Sequence, residues 1–592
     1  RGVAQPEVAK IVADIRLDPK ARTLDATGEL TLLNTTSEPI RELLVLMASP
    51  GLVGLSVDLG DRGALADRDV RLQVERWTLT PPMAPGERIP LKFTTRSAPK
   101  PGLVVHAEHD GAPEVSNTEV IGNGTSLLNL RLMPVIGYTD RVEHKPTWKR
   151  RRYGLPLEWQ APSGPKALRQ AHGTLHMGWV EEMDITLRTP SDQWVLHAGE
   201  LVEESQENGE HVWHYHISRP SRGWSTIVSG RYTVREAKRD GAPALVLYYD
   251  PTHTYTTEVM ETSFLDVMEH FQKRYGPPPF KTFRMAEQSL HVDGFASRAG
   301  LASMTPVLGW KSDLRLSQGE DVAQLSGQIV ALTWWGDQII PANVAGAKVI
   351  HAGLPFWSAA LYQHQRRAPE VSRRLRQQQM REMFRKRRSL VDEESPFAKE
   401  FKDSTMVRTK GELHILYLAE LIGIERLETI FAEFLAVWRY KANPYPTAQD
   451  LMAHIKERVD TKYHRQLDDF FEQVTTWRLR AIEAKTWPLQ DGTWQLEAII
   501  EARRFTTHGL GEEREETLDT PLFIGAFRGH GFTTDDVIAL KIREFETKEG
   551  RATVRMTLKE PPTRFGVDPY LLLPDPNTYN NVTDVTRLET AP

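Results

Sequence analysis

The chain has 592 residues, of which 40% are apolar and 26% charged, and its formal net charge is −5. This composition excludes a disordered or collagen-like protein, and the charge gives no sign of nucleic-acid binding. The chain contains no cysteine, which excludes disulfides, thiolate metal sites and a cysteine nucleophile.

The first part of the chain consists of short runs in which apolar and polar residues alternate. Residues 23–33 form one such run, and turn-forming segments at 34–36 and 84–86 separate it from its neighbours. A period of two residues is typical of half-buried antiparallel strands. We therefore expect an N-terminal β-sandwich over residues 1–236.

The apolar period changes to that of a helix after Tyr249. Phe264, Met268 and Phe271 recur at helical spacing, and Gly276 with the prolines after it ends the pattern. Further helices are predicted at 320–335, 349–366, 369–388, 410–421, 424–442, 447–459 and 463–474. These segments predict a mainly helical domain over residues 237–475.

Strand-like alternation returns after Thr475, at 494–502 and 551–558. These runs predict a small C-terminal β-sandwich over residues 476–592. The predicted fold class is therefore multidomain α+β, with a helical middle domain between two β-sandwiches.

The segment QIVALTWWG, residues 328–336, ends in Trp334, Trp335 and Gly336. It resembles the zinc-binding helix of aminopeptidase N-like zinc metallopeptidases (gluzincins), in which H-E-x-x-H precedes Trp-Trp-Gly. Two histidines of that helix ligate zinc, and its glutamate activates the metal-bound water. The resemblance implies that the middle domain is a thermolysin-like peptidase domain.

The aligned positions carry other residues here. Gln328 and Leu332 occupy the two histidine positions, and Ile329 occupies the glutamate position. Leucine and isoleucine offer no lone pair, and an amide carbonyl is a poor zinc ligand. The family's third ligand, a glutamate, aligns with Ala352 or, by strict counting, with His351. The sequence therefore predicts a peptidase-like domain without zinc.

Two further family positions are altered as well. The family's G-x-M-E-N segment anchors the substrate amine through its glutamate, and the frame beginning at Gly294 places Ser297 there and Arg298 at the asparagine. The family's Y-x-K-G tyrosine, which stabilises the oxyanion, aligns with Arg408. The resemblance implies a relic cleft whose arginines are able to meet a carboxylate.

The wider pattern resembles most closely the peptidase-like module fused to bacterial ABC transporter permeases. The matching stretches are 123–138, 151–156, 342–347 and 566–570. This resemblance implies a location on the periplasmic or extracytoplasmic face of a bacterial membrane, anchored by segments outside this chain. The absence of cysteine fits an oxidising compartment of that kind.

These observations predict a pseudoenzyme rather than an enzyme, with no catalytic residue and no metal. It would bind a peptide or protein and serve a membrane permease portion or transporter subunits, with no nucleic-acid partner. The relic cleft would be lined by Ser297, Arg298, Gln328, Ile329, Leu332, His351, Ala352 and Arg408. Two alternatives stay open: a residual metallopeptidase with non-standard ligands, and a purely structural spacer.

Two other features invite a functional interpretation. His214 and His216 share a strand face near His211, but no carboxylate at ligand spacing completes the set. The spacing of His172 and His176 gives only an ordinary same-face pair on a strand. We interpret them as solvated strand residues. Residues 366–388 hold ten Lys or Arg against two Glu, which favours a solvated helix face over a surface for anionic lipid or an acidic partner.

Overall fold

The computed structural model of the chain describes residues 4–46, 52–69, 74–98, 125–128, 132–137, 147–156, 161–171, 178–222, 226–288, 294–317, 319–390, 393–401, 404–545, 547 and 549–592. The chain forms two compact units. The first comprises Arg1–Val344 and Leu435–Pro446, and the second Ala345–Phe434 and Thr447–Pro592. The mixture of sheets and helices is that of a multidomain α+β protein, and the three predicted domain ranges stay a prediction.

The alternation predicted from the sequence is clear in some strands of the first unit, such as residues 88–97 and 182–190. The strands of this unit are β1 (Glu7–Asp18), β2 (Thr23–Leu33), β3 (Ile40–Leu46), β4 (Leu52–Asp58), β5 (Gly63–Asp69), β6 (Val74–Met83), β7 (Arg88–Ser97), β8 (Thr125–Leu128), β9 (Val135–Ile136), β10 (Trp179–Val180), β11 (Glu182–Pro190), β12 (Trp194–Leu196), β13 (Glu200–Glu207), β14 (Glu210–Ile217), β15 (Ser221–Arg222), β16 (Thr226–Gly230), β17 (Thr233–Ala237), β18 (Ala244–Tyr249), β19 (Thr282–Glu287), β20 (Phe295–Arg298) and β21 (Leu301–Met304).

The largest sheet has seven strands in the order β13-β14-β11-β1-β2-β7-β4. Along β7, Ile89, Leu91 and Phe93 are buried while the residues between them are exposed, as expected for a sheet with one face on a core. Gly28 of β2 lies against β1 so closely that a Cβ there would come within 2.2 Å of the carbonyl oxygen of Val12. Only glycine fits at this position.

A separate five-stranded sheet bears on function. Its order is β17-β18-β19-β21-β20, and β20 pairs antiparallel with β21 at the end of the sheet. The helices of the first unit are α1 (Thr147–Arg152), α2 (Gly164–Leu168), α3 (Thr257–Tyr275), α4 (Leu314–Ser317) and α5 (Glu320–Trp335). Helix α5 packs against both α3 and β20, so it supports the edge of this sheet.

The segment Leu435–Pro446 belongs to the first unit although it follows about ninety residues of the second. Its backbone joins the first unit through hydrogen bonds from Ala342 N to Pro446 O and from Tyr440 N to Gln338 O, each 2.8 Å long. The residues that follow α5, including Gln338 and Ala342, are therefore held in place by a segment that lies far away in sequence.

The second unit contains the remaining helices and strands. Its helices are α6 (Leu354–His364), α7 (Pro369–Arg387), α8 (Thr405–Ile422), α9 (Ile424–Trp438, which runs into the first unit), α10 (Ala448–Lys456) and α11 (His464–Phe471), and a π-helical turn spans Val349–Gly353. Its strands are β22 (Thr475–Pro488), β23 (Trp494–His508), β24 (Glu512–Glu516), β25 (Leu522–Phe527), β26 (Val537–Arg543), β27 (Arg551–Leu558), β28 (Arg564–Val567), β29 (Val582–Asp584) and β30 (Thr586–Arg587).

The strands of the second unit form a sheet ordered β24-β23-β22-β30, with β27 also on β23, and another ordered β26-β25-β28-β29. No helix among the described residues has the length and apolar character required to cross a membrane.

Candidate functional site

Helix α5 carries the three residues aligned with the family's zinc motif. Gln328 and Leu332 lie one helical turn apart and are both half-buried, whereas Ile329 is fully buried. The shared face expected for two ligands is therefore present, but its residues do not suit zinc, because leucine has no donor atom and an amide oxygen ligates zinc poorly. Ile329 is fully buried and packs into the core.

The tryptophan pair at the end of α5 is part of the core. Trp334 and Trp335 are fully buried, and the indole N–H of Trp334 donates to the carbonyl oxygen of Gly276 at 3.1 Å. The ring of Tyr275 lies edge-on to Trp335 with centroids 5.3 Å apart. The motif that carries the family resemblance therefore fastens α5 to the end of α3.

Strand β20 carries Ser297 and Arg298. Both are buried, with 1% and 8% of their surface exposed, whereas Phe295 and Ala296 are half-buried. The Ser297 hydroxyl has no hydrogen-bond partner in the described part of the chain. The accessible portion of this edge strand is thus its first half.

Asp337, just after α5, holds the turn that follows β20. Its carboxylate accepts from the backbone N–H of Ala299 at 2.8 Å. Burial raises the pKa of Asp337 to about 6, although Arg298 and Arg222 oppose the rise. Burial also lowers the pKa of Arg222 to about 9. Arg298 is therefore buried among charged groups.

The other sequence-predicted residues lie in the second unit. His351 and Ala352 belong to the π-helical turn before α6, where His351 is half-buried and Ala352 buried. Arg408 lies in the first turns of α8 and donates to the Ser404 hydroxyl at 3.0 Å, and its guanidinium lies 4.8 Å from the centre of the Phe356 ring.

Close packing explains why a glycine, Gly411, stands at the end of the segment aligned with the family's Y-x-K-G pattern. A Cβ at Gly411 would approach the indole nitrogen of Trp357 to 2.6 Å, and that nitrogen donates to the carbonyl oxygen of Val407 at 2.9 Å. Helices α6 and α8 are therefore in close contact at this point.

The structure thus brings Ser297, Arg298, Gln328, Ile329 and Leu332 onto adjoining elements of the first unit, and His351, Ala352 and Arg408 onto adjoining elements of the second.

A group of potential metal ligands lies elsewhere, on the seven-stranded sheet. Ligand atoms of Glu182, Asp184 and His216 all lie within 4.8 Å of one another, and the three residues are half-buried. Asp184 and His216 face each other across β11 and β14. Carboxylate and imidazole ligands suit zinc and similar divalent metals. The Lys10 ammonium lies 3.0 Å from a Glu182 oxygen and competes with any cation there.

This group corrects the expectation that no carboxylate completes the histidine pair on β14. The Asp184 carboxylate contacts both histidines. One of its oxygens is hydrogen-bonded to His214, and the other lies 3.5 Å from Nδ1 of His216. No local sequence pattern indicated this pairing, because Asp184 lies thirty residues from His214 in the chain and the register of β11 and β14 brings them together. His172 and His176 lie outside the described residues.

The basic run is also more internal than predicted. It forms α7, on which Arg376 is only 4% exposed and donates to the carbonyl oxygen of Tyr570 at 2.6 Å. Arg373 donates to the carbonyl oxygen of Pro569 at 2.8 Å. A wholly solvated face is therefore wrong for α7, because two of its arginines bind the turn that follows β28.

Two solved structures of the M1 zinc metallopeptidase from Deinococcus radiodurans are similar to this chain. One is a mutant bound to a Tyr-Ser-Ala substrate, with 13% identity, and the other is described as the same mutant, with 14% identity. Each match has a TM-score of 0.50 and covers 79% of this chain and 94% of the metallopeptidase chain. The fold resembles that of an M1 zinc metallopeptidase. No protein-family profile and no curated protein matches the chain.

The prediction that the chain is not an enzyme is wrong on this ground. The structures of similar fold are M1 zinc metallopeptidases, and the described residues include a group able to hold a metal ion. The prediction rested on altered residues at the family's zinc-ligand, glutamate, amine-anchoring and oxyanion positions, whereas a metal bound elsewhere needs none of them. At 13% and 14% identity, the M1 likeness concerns the fold.

Proposed function

We propose that this chain binds peptides by pairing them, as an added strand, with the open edge of β20. The observation that carries this proposal is that β20 is the last strand of its sheet among the described residues, with Phe295 and Ala296 half-buried. An edge strand offers backbone N–H and C=O groups on its outer side, and extended peptides pair with such groups. The bound Tyr-Ser-Ala of the M1 metallopeptidase supports a peptide as the ligand.

The residues of β20 favour recognition of the peptide backbone rather than of its amino terminus. Ser297 supplies a neutral hydroxyl where the resemblance expects a carboxylate, and Arg298 adds a positive charge beside it. A cation repels the α-ammonium group of a free peptide. Blocking the amino terminus should therefore not weaken binding.

The test compares Tyr-Ser-Ala with N-acetyl-Tyr-Ser-Ala by calorimetric titration of the full chain. We expect the acetylated peptide to bind at least as tightly as the free one. Each backbone amide of the peptide is then N-methylated in turn, and loss of one strand hydrogen bond should weaken binding about fivefold for at least one of them. Hydrogen exchange of residues 294–298 should slow when peptide is added.

Two results would contradict the proposal. The first is binding that neither N-methylation weakens. The second is binding without protection of residues 294–298, which would locate the ligand elsewhere. The absence of any peptide binding at millimolar concentration would favour the structural-spacer alternative. Mass spectrometry of the same mixtures, with and without added zinc, measures hydrolysis directly and tests the residual-metallopeptidase alternative.

We also propose that the chain works on the extracytoplasmic face of a bacterial membrane beside an ABC-type permease. The support is the resemblance of residues 151–156, 342–347 and 566–570 to such modules, together with the absence of cysteine. Protease accessibility in intact spheroplasts tests this location: the chain, expressed with its native flanking segments, should be cut from outside, and full protection would contradict it.

A further inference from the structure

A cavity of about 330 Å³ lies in the second unit, where the end of α7 meets the hairpin of β23 and β24. This volume is at the lower end of the range for small-molecule sites. All of its lining residues belong to the second unit. The cavity is therefore independent of β20 and of the peptide proposed to bind there.

Ion pairs account for most of the charge around the cavity. Arg387 donates to Glu394 at 2.6 Å, and Lys410 donates to the same carboxylate at 3.4 Å. Burial alone would raise the pKa of Glu394, but these two cations outweigh it and hold the pKa below its usual value. Arg478 pairs with both oxygens of Glu513, at 2.9 and 2.7 Å.

Arg388 is the lining cation without such a partner. Its side chain is exposed and makes no ion pair or hydrogen bond in the described part of the chain. Three arginines and two glutamates line the cavity, so the lining carries one surplus positive charge. An arginine of this kind is well suited to a carboxylate, which it binds with two parallel hydrogen bonds.

The lining also includes apolar residues, two of which have exposed side chains. Leu510, at the hairpin tip, is 81% exposed, and Leu390 is 37% exposed; Phe384 and Pro576 complete this apolar part of the lining. Leucine with most of its surface in water gains from being covered by a ligand. The cavity thus offers one free cation together with apolar side chains.

We propose that this cavity binds an apolar monocarboxylate, with the carboxylate on Arg388 and the apolar body against Leu510 and Leu390. A single surplus positive charge matches a monoanion, whereas a doubly charged phosphate would leave one negative charge uncompensated. A free carboxylic acid and the carboxyl end of a peptide that terminates in an apolar residue share this chemistry.

The test titrates the full chain with N-acetyl-leucine, hexanoate, N-acetyl-leucinamide and inorganic phosphate, following heat or ligand NMR signals. We expect N-acetyl-leucine to bind at least tenfold more tightly than its uncharged amide or phosphate. Comparable binding of hexanoate would identify free acids as ligands, and preference for N-acetyl-leucine would identify a peptide terminus. Equal binding of the acid and the amide would overturn the proposal.

Two pairs of variants locate the site. Arg388→Gln should weaken N-acetyl-leucine binding about tenfold, whereas Arg374→Gln, at an equally exposed position of α7 outside the cavity, should leave it unchanged. Leu510→Asp should weaken binding more than Leu510→Asn, because the added carboxylate repels the ligand. The proposal would also be overturned by unchanged binding in Arg388→Gln. It would be overturned as well if the parent chain bound no N-acetyl-leucine at ligand concentrations up to about 50 mM.

Discussion

Trp334→Phe keeps an aromatic ring at the end of α5 but removes the N–H that donates to Gly276. This carbonyl is partly buried, and leaving it without its donor costs about 1 to 2 kcal/mol. The smaller ring leaves a gap in a fully buried site, which costs about a further 1 kcal/mol. We therefore expect the free energy of unfolding to fall by about 2 to 3 kcal/mol, while peptide affinity stays unchanged.

Urea unfolding followed by circular dichroism gives the stability change, and hydrogen exchange over residues 320–335 shows whether the loss is in α5. Trp148→Phe is the matched control, because Trp148 is 62% exposed and its replacement should change stability by less than about 0.5 kcal/mol. The structural interpretation of the tryptophan pair is refuted if Trp334→Phe loses peptide binding while its stability stays within about 0.5 kcal/mol of the parent chain.

Two further predictions concern charge in the first unit. Burial raises the pKa of Glu7 from 4.5 to about 7, so its stabilising contribution is full below pH 4.5 and is lost as the pH rises through 7. Glu7→Gln should therefore gain about 3 kcal/mol relative to the parent between pH 4.5 and 8; parallel urea-derived pH profiles would contradict this. Lys10→Gln removes the cation beside Glu182 and should raise manganese or zinc affinity at the Glu182, Asp184 and His216 group about tenfold, measured by calorimetry; equal affinities would show that metal binds elsewhere.

Local periodicity predicted the helices well because each helix is encoded by neighbouring residues. The range predicted for α5, 320–335, agrees with Glu320–Trp335. One boundary that differs is the start of α8, at Thr405 rather than 410, because Arg408 and the threonines at 405 and 409 interrupt the apolar pattern there. Helix α9 ends at Trp438, before the predicted 442, because Tyr440 has a left-handed backbone with φ of 55°.

The candidate sites were less predictable because they depend on contacts between distant segments. Asp184 meets His216 only through the register of β11 and β14, which no local pattern reveals. The same holds for α7, where the backbone carbonyl that accepts from Arg376 comes from Tyr570. The motif at 328–336 predicted a helix and a family resemblance, but its altered residues alone were insufficient grounds to exclude an enzyme.

The segment Leu435–Pro446 delays completion of the first unit during synthesis of the chain. Residues up to Val344 leave the ribosome before the strip that completes their unit, and at about 5 to 20 residues per second the interval is roughly 5 to 20 s. During that interval the partners of Tyr440 and Pro446 on the nascent chain lack their hydrogen bonds. A fragment cut after Val344 would remain in this incomplete state permanently, so a recombinant version of the first unit needs the later strip supplied in the same polypeptide.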